Sequence, residues 1–566
     1  MKSFDARKIV FALLCLLAFS GSLVSGAIYP WYRDLFVFAA SILFLLSLAG
    51  PLPPLSDLLP LTLASVVAYL SSFWTVNLNN TLTQAFFFTG LTLFAASAAS
   101  SVAGERKEAI LKVLAAAAAI VSLYAIYQYY WGFAHTEEYI RQSGFSGPEA
   151  EAALKALGAR RAFSTLMSPN ILACYLASVA PVVFALLLKA KNKWVYGLVL
   201  ILVLVALTLT KSVGGALATA FGAAVFLVLL YRQGRLKART AAALTLVLLL
   251  AAGAAFLAVE MRSGGAFSFG NSIVQRLDYY SAALEISRGS VFTGRGAGSF
   301  QVLYLGQKVP GADETRYVHN IFLQYLAEEG LIGVLAVAGI FAFFFYNCLK
   351  RMRKDPDDAL LFAGVASGGA AFLVHNLVDF SWFIPETATV FWLYLGLSAS
   401  REDGGKRAVS VPARLAAAGL ALVFLFFFSK SYIAGTDLRD AVALLGDAGI
   451  SSAQAARSDP APPVAVGLAE DALRLKPYDD GLHAFLAGLY EGRAIADGPR
   501  LATIAESQYR EAIRLNPEYP FHYRDLGILY LKLGERRKAS EQFQKAISLY
   551  PASESLKKYL PLSENR

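Results

Sequence analysis

Long unbroken apolar blocks constrain this chain more than any other feature of its sequence. Thirteen can be drawn, at roughly 9–28, 35–50, 58–74, 83–103, 109–131, 170–188, 194–210, 213–231, 240–260, 331–348, 359–376, 385–400 and 413–432. Helical blocks of about 18 or more residues are long enough to cross a hydrocarbon core about 30 Å thick. Hydrophobic residues make up 56 % of the 566 and charged residues only 16 %, which argues against a soluble protein. The expected fold class is all-α: a polytopic transmembrane helical bundle of about 12–13 spans.

Basic clusters set the orientation. Lys2/Arg7/Lys8, Arg106-Lys107, Lys189/Lys191/Lys193, Arg232/Arg235/Lys237/Arg239, Lys350/Arg351/Arg353/Lys354 and Lys406/Arg407 fall at alternate connections. All land on one side, which the positive-inside bias makes the cytoplasm. The N-terminus is then inside and the segment after the last span outside, as in a multi-pass bacterial inner membrane protein. The first block, Ile9 to Ala27 behind three basic residues, resembles a secretory signal with a cleavage option near Ser25-Gly26-Ala27. Further spans follow at once, so it reads as a retained first helix. The net charge of +10 reports topology and contact with anionic membrane lipids rather than nucleic acid. Cys15, Cys174 and Cys348 lie within or at the ends of apolar blocks and read as small core-facing residues.

Two long outer loops remain, about 132–169 and 261–330. The second holds a plausible amphipathic helix, Ser272 to Arg288, and then Gly294-Arg295-Gly296-Ala297-Gly298. With no strand before it, that run is no dinucleotide fingerprint; it is a turn that lets backbone approach something closely.

The tail differs in kind. The expected division is a membrane domain at 1–432, a linker at 433–463 and a periplasmic domain at 464–566. Ala472-Leu473-Arg474-Leu475-Lys476-Pro477, Ala512-Ile513-Arg514-Leu515-Asn516-Pro517 and Ala546-Ile547-Ser548-Leu549-Tyr550-Pro551 recur, their prolines 40 and then 34 residues apart. With Tyr523 to Tyr530, Gly534, Ala539 and Phe543, the pattern resembles tetratricopeptide repeats, a soluble α-solenoid that binds protein partners.

Ionisable groups beside membrane spans are costly and each needs an account. On the inferred outer side stand Arg160, Arg161, Lys211, Arg276, Arg288, Arg295, Arg316, His319, His375 and Asp379. As a set they suggest an anion pocket at the outer surface. No nucleotide sugar or ATP is available there, so an enzyme on that face needs a donor activated beforehand. A lipid diphosphate carrying a glycan fits, and arginine forks pair bidentately with phosphate oxygens. No carboxylates in these loops form a recognisable Mg²⁺ motif, which favours metal-free chemistry with no cofactor. A neutral imidazole such as His319 can accept a proton from an acceptor hydroxyl; an interfacial helix cap is the structural alternative. His375 and Asp379, at i and i+4, can face each other as a structural or orienting pair.

His319-Asn320-Ile321-Phe322-Leu323-Gln324-Tyr325-Leu326-Ala327-Glu328-Glu329-Gly330-Leu331-Ile332-Gly333 resembles the His-Asn loop, helix and Glu-Gly segment of the O-antigen ligase and polymerase superfamily. Arg161-Ala162-Phe163-Ser164 with Ser168-Pro169-Asn170, and Thr293 to Phe300, are similar to further segments of it. The likeness covers roughly residues 60–400. It implies a GT-C-like membrane glycosyltransferase, inverting and metal-independent, that moves a glycan from an undecaprenyl diphosphate carrier. His319 would be the catalytic base or an acceptor-orienting residue; Arg161, Lys211, Arg276, Arg288 and Arg295 would be the candidates to hold the diphosphate; Arg160, Asn320, His375 and Asp379 would support them. One departure is Thr210-Lys211-Ser212-Val213-Gly214, where Val213 stands at a position often Arg in the family; Lys211 is the candidate replacement.

The acceptor stays open among lipid A core (lipopolysaccharide ligation), a growing polysaccharide (polymerisation, as in exopolysaccharide biosynthesis) and a protein side chain (O-oligosaccharyl transfer). A polytopic transporter and a membrane-anchored scaffold are the rival classes. The repeats point to a periplasmic protein partner.

Overall fold

The computed structural model describes residues 6–24, 30–49, 55–144, 146–166, 168–247, 269–400, 410–445 and 461–564. Its first body comprises α1 (Ala6–Ser20), α2 (Pro30–Ser47), α3 (Leu55–Ser71), α4 (Leu78–Ser101), α5 (Glu105–Tyr127), a π-turn (Gln128–Gly132), α6 (Phe133–Gln142), α7 (Pro148–Gly158), α8 (Pro169–Lys189), α9 (Lys193–Leu209) and α10 (Val213–Arg232). It continues through α11 (Ala238–Val247), α12 (Phe269–Arg288), α13 (Phe300–Gln307), α14 (Ile321–Lys354), α15 (Ala359–His375), α16 (Pro385–Ala399) and α17 (Val411–Ala443). No strand occurs among the described residues.

Apolar segments must satisfy their backbone internally to cross lipid, and helices do so. Among the described residues, six helices are long and apolar enough to cross a membrane: α4, α5 with its continuation to Gln142, α8, α10, α14 and α17. α9 and α15, at 17 residues each, are shorter apolar helices, as are stretches of α1, α3 and α11. Most of the ninth expected span, 240–260, lies outside the described residues.

α8 and α16 are buried along their length and form the centre. Small residues bring helices close, as is common between membrane helices: a Cβ at Gly368 of α15 would fall 2.2 Å from the Ser178 carbonyl oxygen of α8. Around α16, Phe341, Phe344, Phe372, Trp382, Phe391 and Trp392 make a ring cluster with centroid spacings such as 4.7 Å for Phe341–Phe391 and 5.0 Å for Phe372–Phe391. Trp382 Nε1 is not left bare there; it donates to Tyr325 Oη at 3.0 Å.

Alternating helix direction gives the bundle two unlike ends. At one, Lys107 pairs with Asp358, Lys189 with Glu108 at 3.0 Å, and Arg414 donates to the Leu48 carbonyl at 3.0 Å. The described basic clusters gather at this end. At the other, Thr165 reaches the Ser22 carbonyl at 3.4 Å, Trp74 Nε1 donates to the Thr293 carbonyl at 2.9 Å, and Ile321 N donates to the Asn376 carbonyl at 2.9 Å. The outer loops are here, and the first of them, expected as loop at 132–169, folds into α6 and α7.

The second body is α18 (Pro463–Leu475), α19 (Asp480–Asp497), α20 (Pro499–Leu515), α21 (Pro520–Lys532) and α22 (Arg536–Leu549), with short α23 (Glu554–Lys557) and α24 (Leu560–Glu564). Small residues again sit at the contacts: Gly527 of α21 lies against Phe543 of α22. The structure differs from the expected linker at 433–463. Residues 433–443 are the last turns of α17, and Leu438, Ala441 and Val442 pack with Ala465, Val466, Phe485 and Leu489. Their apolar spacing fits that packed face.

Gly294, Gly296 and Gly298 have φ of +67°, +100° and +73°, and the turn they make does approach backbone closely. What it approaches is its own chain: a Cβ at Gly294 would lie 2.2 Å from the Glu328 carbonyl carbon, and one at Gly296 2.1 Å from Thr75 Oγ1. Gly311 also has positive φ, +82°, but with open space around it. Gly294→Ala should therefore cost about 3 kcal/mol or more, and Gly311→Ala about 1 kcal/mol. Thermal unfolding in detergent checks this: the Gly294 variant should melt well below the Gly311 variant, and equal melting would contradict the contact.

Candidate functional site

Four residues other than glycine among the described positions hold positive φ: Arg160 (+43°), Ser164 (+56°), Lys211 (+52°) and His319 (+62°). All lie in loops at the end opposite the basic clusters. Such conformations cost free energy and persist where surroundings enforce them, often at functional sites.

The 159–168 segment is enforced from three directions. Gln128 of the π-turn, a helix form frequent at functional sites, accepts from the Phe163 and Ser164 backbone N–H at 2.9 Å each. Ser164 Oγ donates to the Val121 carbonyl at 2.8 Å, and Ala162 N to the Leu209 carbonyl at 2.9 Å. Arg161 then reaches across the α9–α10 turn: Nε donates to the Thr210 carbonyl at 3.0 Å and Nη2 to Asn170 Oδ1 at 2.9 Å. Ser212 donates to the same Asn170 oxygen at 2.9 Å and accepts from Gly215 N as the cap of α10. Lys211 Nζ donates to the Ala159 carbonyl at 3.1 Å and lies 5.8 Å from the Tyr129 ring centroid. Burial lowers both cations below their ordinary range; for Arg161, Asp379 opposes this and Arg276 adds to it, and for Lys211 the neighbouring Arg161 and Arg160 add to it. Lys211 thus stands beside Arg160 and Arg161.

His319 comes from the other side. Asn320 caps α14, its Oδ1 accepting from Phe322 N at 3.0 Å and Leu323 N at 3.1 Å, while its Nδ2 donates to the Leu377 carbonyl at 3.0 Å. Tyr280 of α12 donates to the His319 and Leu377 carbonyls, both at 3.3 Å. The imidazole stacks on Tyr279 at 5.5 Å and meets Phe380 edge-on at 4.8 Å. Its Nδ1 is buried with no hydrogen-bond partner among the described residues. Burial pushes the ring down to about 4, with Asp379 opposing and Arg276 contributing. The neutral form, able to accept a proton, therefore persists as pH falls from the usual value near 6.5 to about 4.

Arg276 Nε donates to the Val378 carbonyl at 2.9 Å, and its Nη1 donates to the Ser272 carbonyl and hydroxyl. Asp379 is buried and accepts from Phe380 N at 2.8 Å and Ser381 Oγ at 3.3 Å. α15 ends at His375, so Asp379 is not on the helical turn that an i, i+4 pair requires. Both ring nitrogens of His375 lack hydrogen-bond partners among the described residues. The two do not form the expected pair, although His375 is buried against the start of α10, where a Cβ at Gly214 would lie 3.7 Å from its Nε2.

The structure therefore brings together Arg161, Lys211, Arg276, His319, Asn320, His375 and Asp379, with exposed Arg160 at the edge. It does not bring Arg288 or Arg295 to them. Arg288 lies twelve residues beyond Arg276 on α12, about 18 Å along the axis, and is exposed and paired with Glu285 at 2.5 Å. Arg295 lies 4.0 Å from Glu518 of the second body. Arg316 is exposed. Sequence reasoning passed over Arg33, at the start of α2, whose charge reaches Tyr317; Tyr317 stacks on Phe380 at 4.9 Å, one ring from His319. Its place on the outer side, against the positive-inside tendency, was the available signal. Gln128 and Tyr280 were also missed as supports, since each acts through a contact more than thirty residues away in sequence.

Several helices apolar enough to cross a membrane, with cations and a buried imidazole gathered at one end of the bundle, suggest a multi-pass membrane protein. Residues 198–338 match the family model described as O-antigen ligase, about a quarter of the chain. The match supports the O-antigen ligase superfamily and is consistent with a glycosyltransferase-like enzyme with lipid-linked glycan and polysaccharide substrates. It includes Lys211, Arg276, His319 and Asn320, and stops short of Arg161, His375 and Asp379. No curated protein matches the chain.

The separation of the arginines can be measured. Arg161→Ala removes a cation and two hydrogen bonds, so binding of a polyprenyl diphosphate to the purified protein should weaken about tenfold or more. Arg288→Ala removes an exposed pair and should change it less than about twofold. Equal losses would contradict the placement.

Proposed function

We propose that the protein transfers a glycan from an undecaprenyl diphosphate carrier to an acceptor hydroxyl on the periplasmic face of the inner membrane, as a ligase or polysaccharide polymerase. The convergence of Arg161, Lys211 and Arg276 around a neutral His319 carries this reading. The acceptor oxygen attacks the anomeric carbon, the bond from that carbon to the diphosphate oxygen breaks, and configuration inverts. The hydroxyl proton passes to His319, and the leaving diphosphate takes the bonding electrons. Arg161, Lys211 and Arg276 hold that charge without a metal, aimed where it develops. Asn320 and Tyr280 fix the His319 backbone, and Asp379 balances the local positive charge. Arg288 and Arg295 do not act on the diphosphate in this reading.

Residues 1–432 form the catalytic membrane domain and the helices beyond Pro463 a tetratricopeptide-type solenoid. An elongating polysaccharide or lipid A core suits as acceptor. The proposed orientation follows from the basic clusters meeting at the opposite end of the bundle.

Asn is among the non-glycine residues that best tolerate left-handed backbone, so His319→Asn tests the base with little backbone cost. Glycan transfer in membranes should fall by roughly 10²–10⁴-fold with the protein still folded; unchanged transfer removes His319 from catalysis. Because kcat/KM reports groups of the free enzyme, the wild type should lose little of it between pH 7.5 and about 5.5. A fall centred near pH 6.5 would contradict a His319 held neutral.

A further inference from the structure

The second body touches the first at defined places, and two of them bear on the site. Asp480, buried at the start of α19, accepts from Asn77 Nδ2 at 3.1 Å, from Asn516 Nδ2 at 2.9 Å and meets His522 Nε2 at 2.9 Å. Asn77 is itself the cap of α4, accepting from Asn80 N at 2.9 Å. This anchors the tail to the α3–α4 turn, against which the 294–298 turn is packed.

The other contact lies on the segment that leads into His319. Tyr550, which closes the third copy of the tail repeat, is 4 % exposed and packs with Leu305 of α13, Ala546 and Leu556. Its hydroxyl donates to Glu314 Oε1 at 2.7 Å and accepts from Lys308 Nζ at 2.8 Å, and that ammonium lies 5.2 Å from the ring centroid. Glu314 is five residues before His319. Between them the chain is irregular, held by Thr315 to the Tyr317 carbonyl at 2.9 Å and by Gln324 Oε1 accepting from Val318 N at 2.6 Å. Asp313 is held on its inner side by Gln275 at 2.8 Å and Tyr304 at 3.2 Å. Residues 308–314 thus lie between the site-forming helix α12 and the tail, with Tyr550 closing the outer side.

We infer that the C-terminal domain is an internal clamp on the His319 loop, with Tyr550, Lys308 and Glu314 as its positioning residues. The inference goes beyond the proposed reaction, though its rate arm rests on that reading. The tail's contacts hold one irregular stretch in register so that the imidazole keeps its left-handed backbone and its place between Tyr279 and Phe380. A misplacement of about 1 Å in a reacting group can cost on the order of a hundredfold in rate. The tail's role here is within the chain and does not need a separate partner to fill it.

The test uses the full chain in detergent or nanodiscs. In Tyr550→Phe, which keeps the ring on Leu305 and loses the hydroxyl, amide exchange of residues 308–319 should speed at least about tenfold while α8 and α16 stay protected. Glu314→Ala should match it, the double variant should add nothing, and Glu314→Gln, which still accepts from the phenol, should restore protection. For glycan transfer, kcat should fall about tenfold in Tyr550→Phe with donor KM within about twofold. Unchanged exchange in 308–319, or loss of protection throughout the protein, overturns the clamp. Faster exchange with an unchanged rate overturns its positioning role. If exchange responds as expected but the wild type transfers no glycan, the clamp stands and the proposed reaction fails.

Discussion

Lipid cannot hydrogen-bond a backbone and poorly tolerates charge, and most of this structure follows from those two facts. Each apolar run among the described residues becomes a helix, and ionisable groups gather toward the helix ends. Because successive helices alternate in direction, every second connection meets at the same end. Lys107, Lys189 and Arg414 then tie one end together through ion pairs and carbonyls, whereas Arg161, Lys211, Arg276 and His319 meet at the other. Groups separated by 158 residues in sequence (161 to 319) become neighbours through the packing of these helices.

At that end the turns between helices are irregular, so their conformation is set by individual contacts. Arg160, Ser164, Lys211 and His319 adopt left-handed backbone because Gln128, Asn170, Asn320 and Tyr280 bind the polar groups around them. Like charges placed close together repel, and burial works against both Arg161 and Lys211. The arrangement nevertheless keeps these cations close, with the Asp379 carboxylate acting on Arg161 and His319 alike. The imidazole stays neutral in the same surroundings for the same reasons: burial and the neighbouring Arg276 both disfavour its protonation.

The sequence made the apolar helices, the cationic end and the His319–Gly333 segment legible, because each is a local pattern: a run, a spacing or a contiguous motif. Asn320 caps α14, as the residues suggested it would begin, and the helix breaks at Gly330 (φ +66°, ψ −161°), where a second helical stretch starts beyond a kink. What the pattern did not carry is direction and distance. Arg276 and Arg288 sit on one helix but three turns apart, so only one can share a ligand with His319. Arg295 looked like a site residue for its glycine neighbours, yet those glycines serve a close packing against Thr75, Asn80 and Glu328 while Arg295 faces Glu518. His375 and Asp379 had the spacing of a helical pair, but α15 stops between them. Residues 433–443 continue α17 because their apolar face finds Ala465 and Phe485, a contact the local composition does not announce.

The account depends on which side of the membrane the cationic end faces. Arg316 is exposed and three residues from His319, so Arg316→Cys in a chain with Cys15, Cys174 and Cys348 replaced places one thiol beside the site. A membrane-impermeant maleimide should label it in cells whose outer membrane has been opened and whose inner membrane is intact. Labelling only after the inner membrane is broken would put the cluster in the cytosol, out of reach of a periplasmic lipid-linked donor, and would contradict the account.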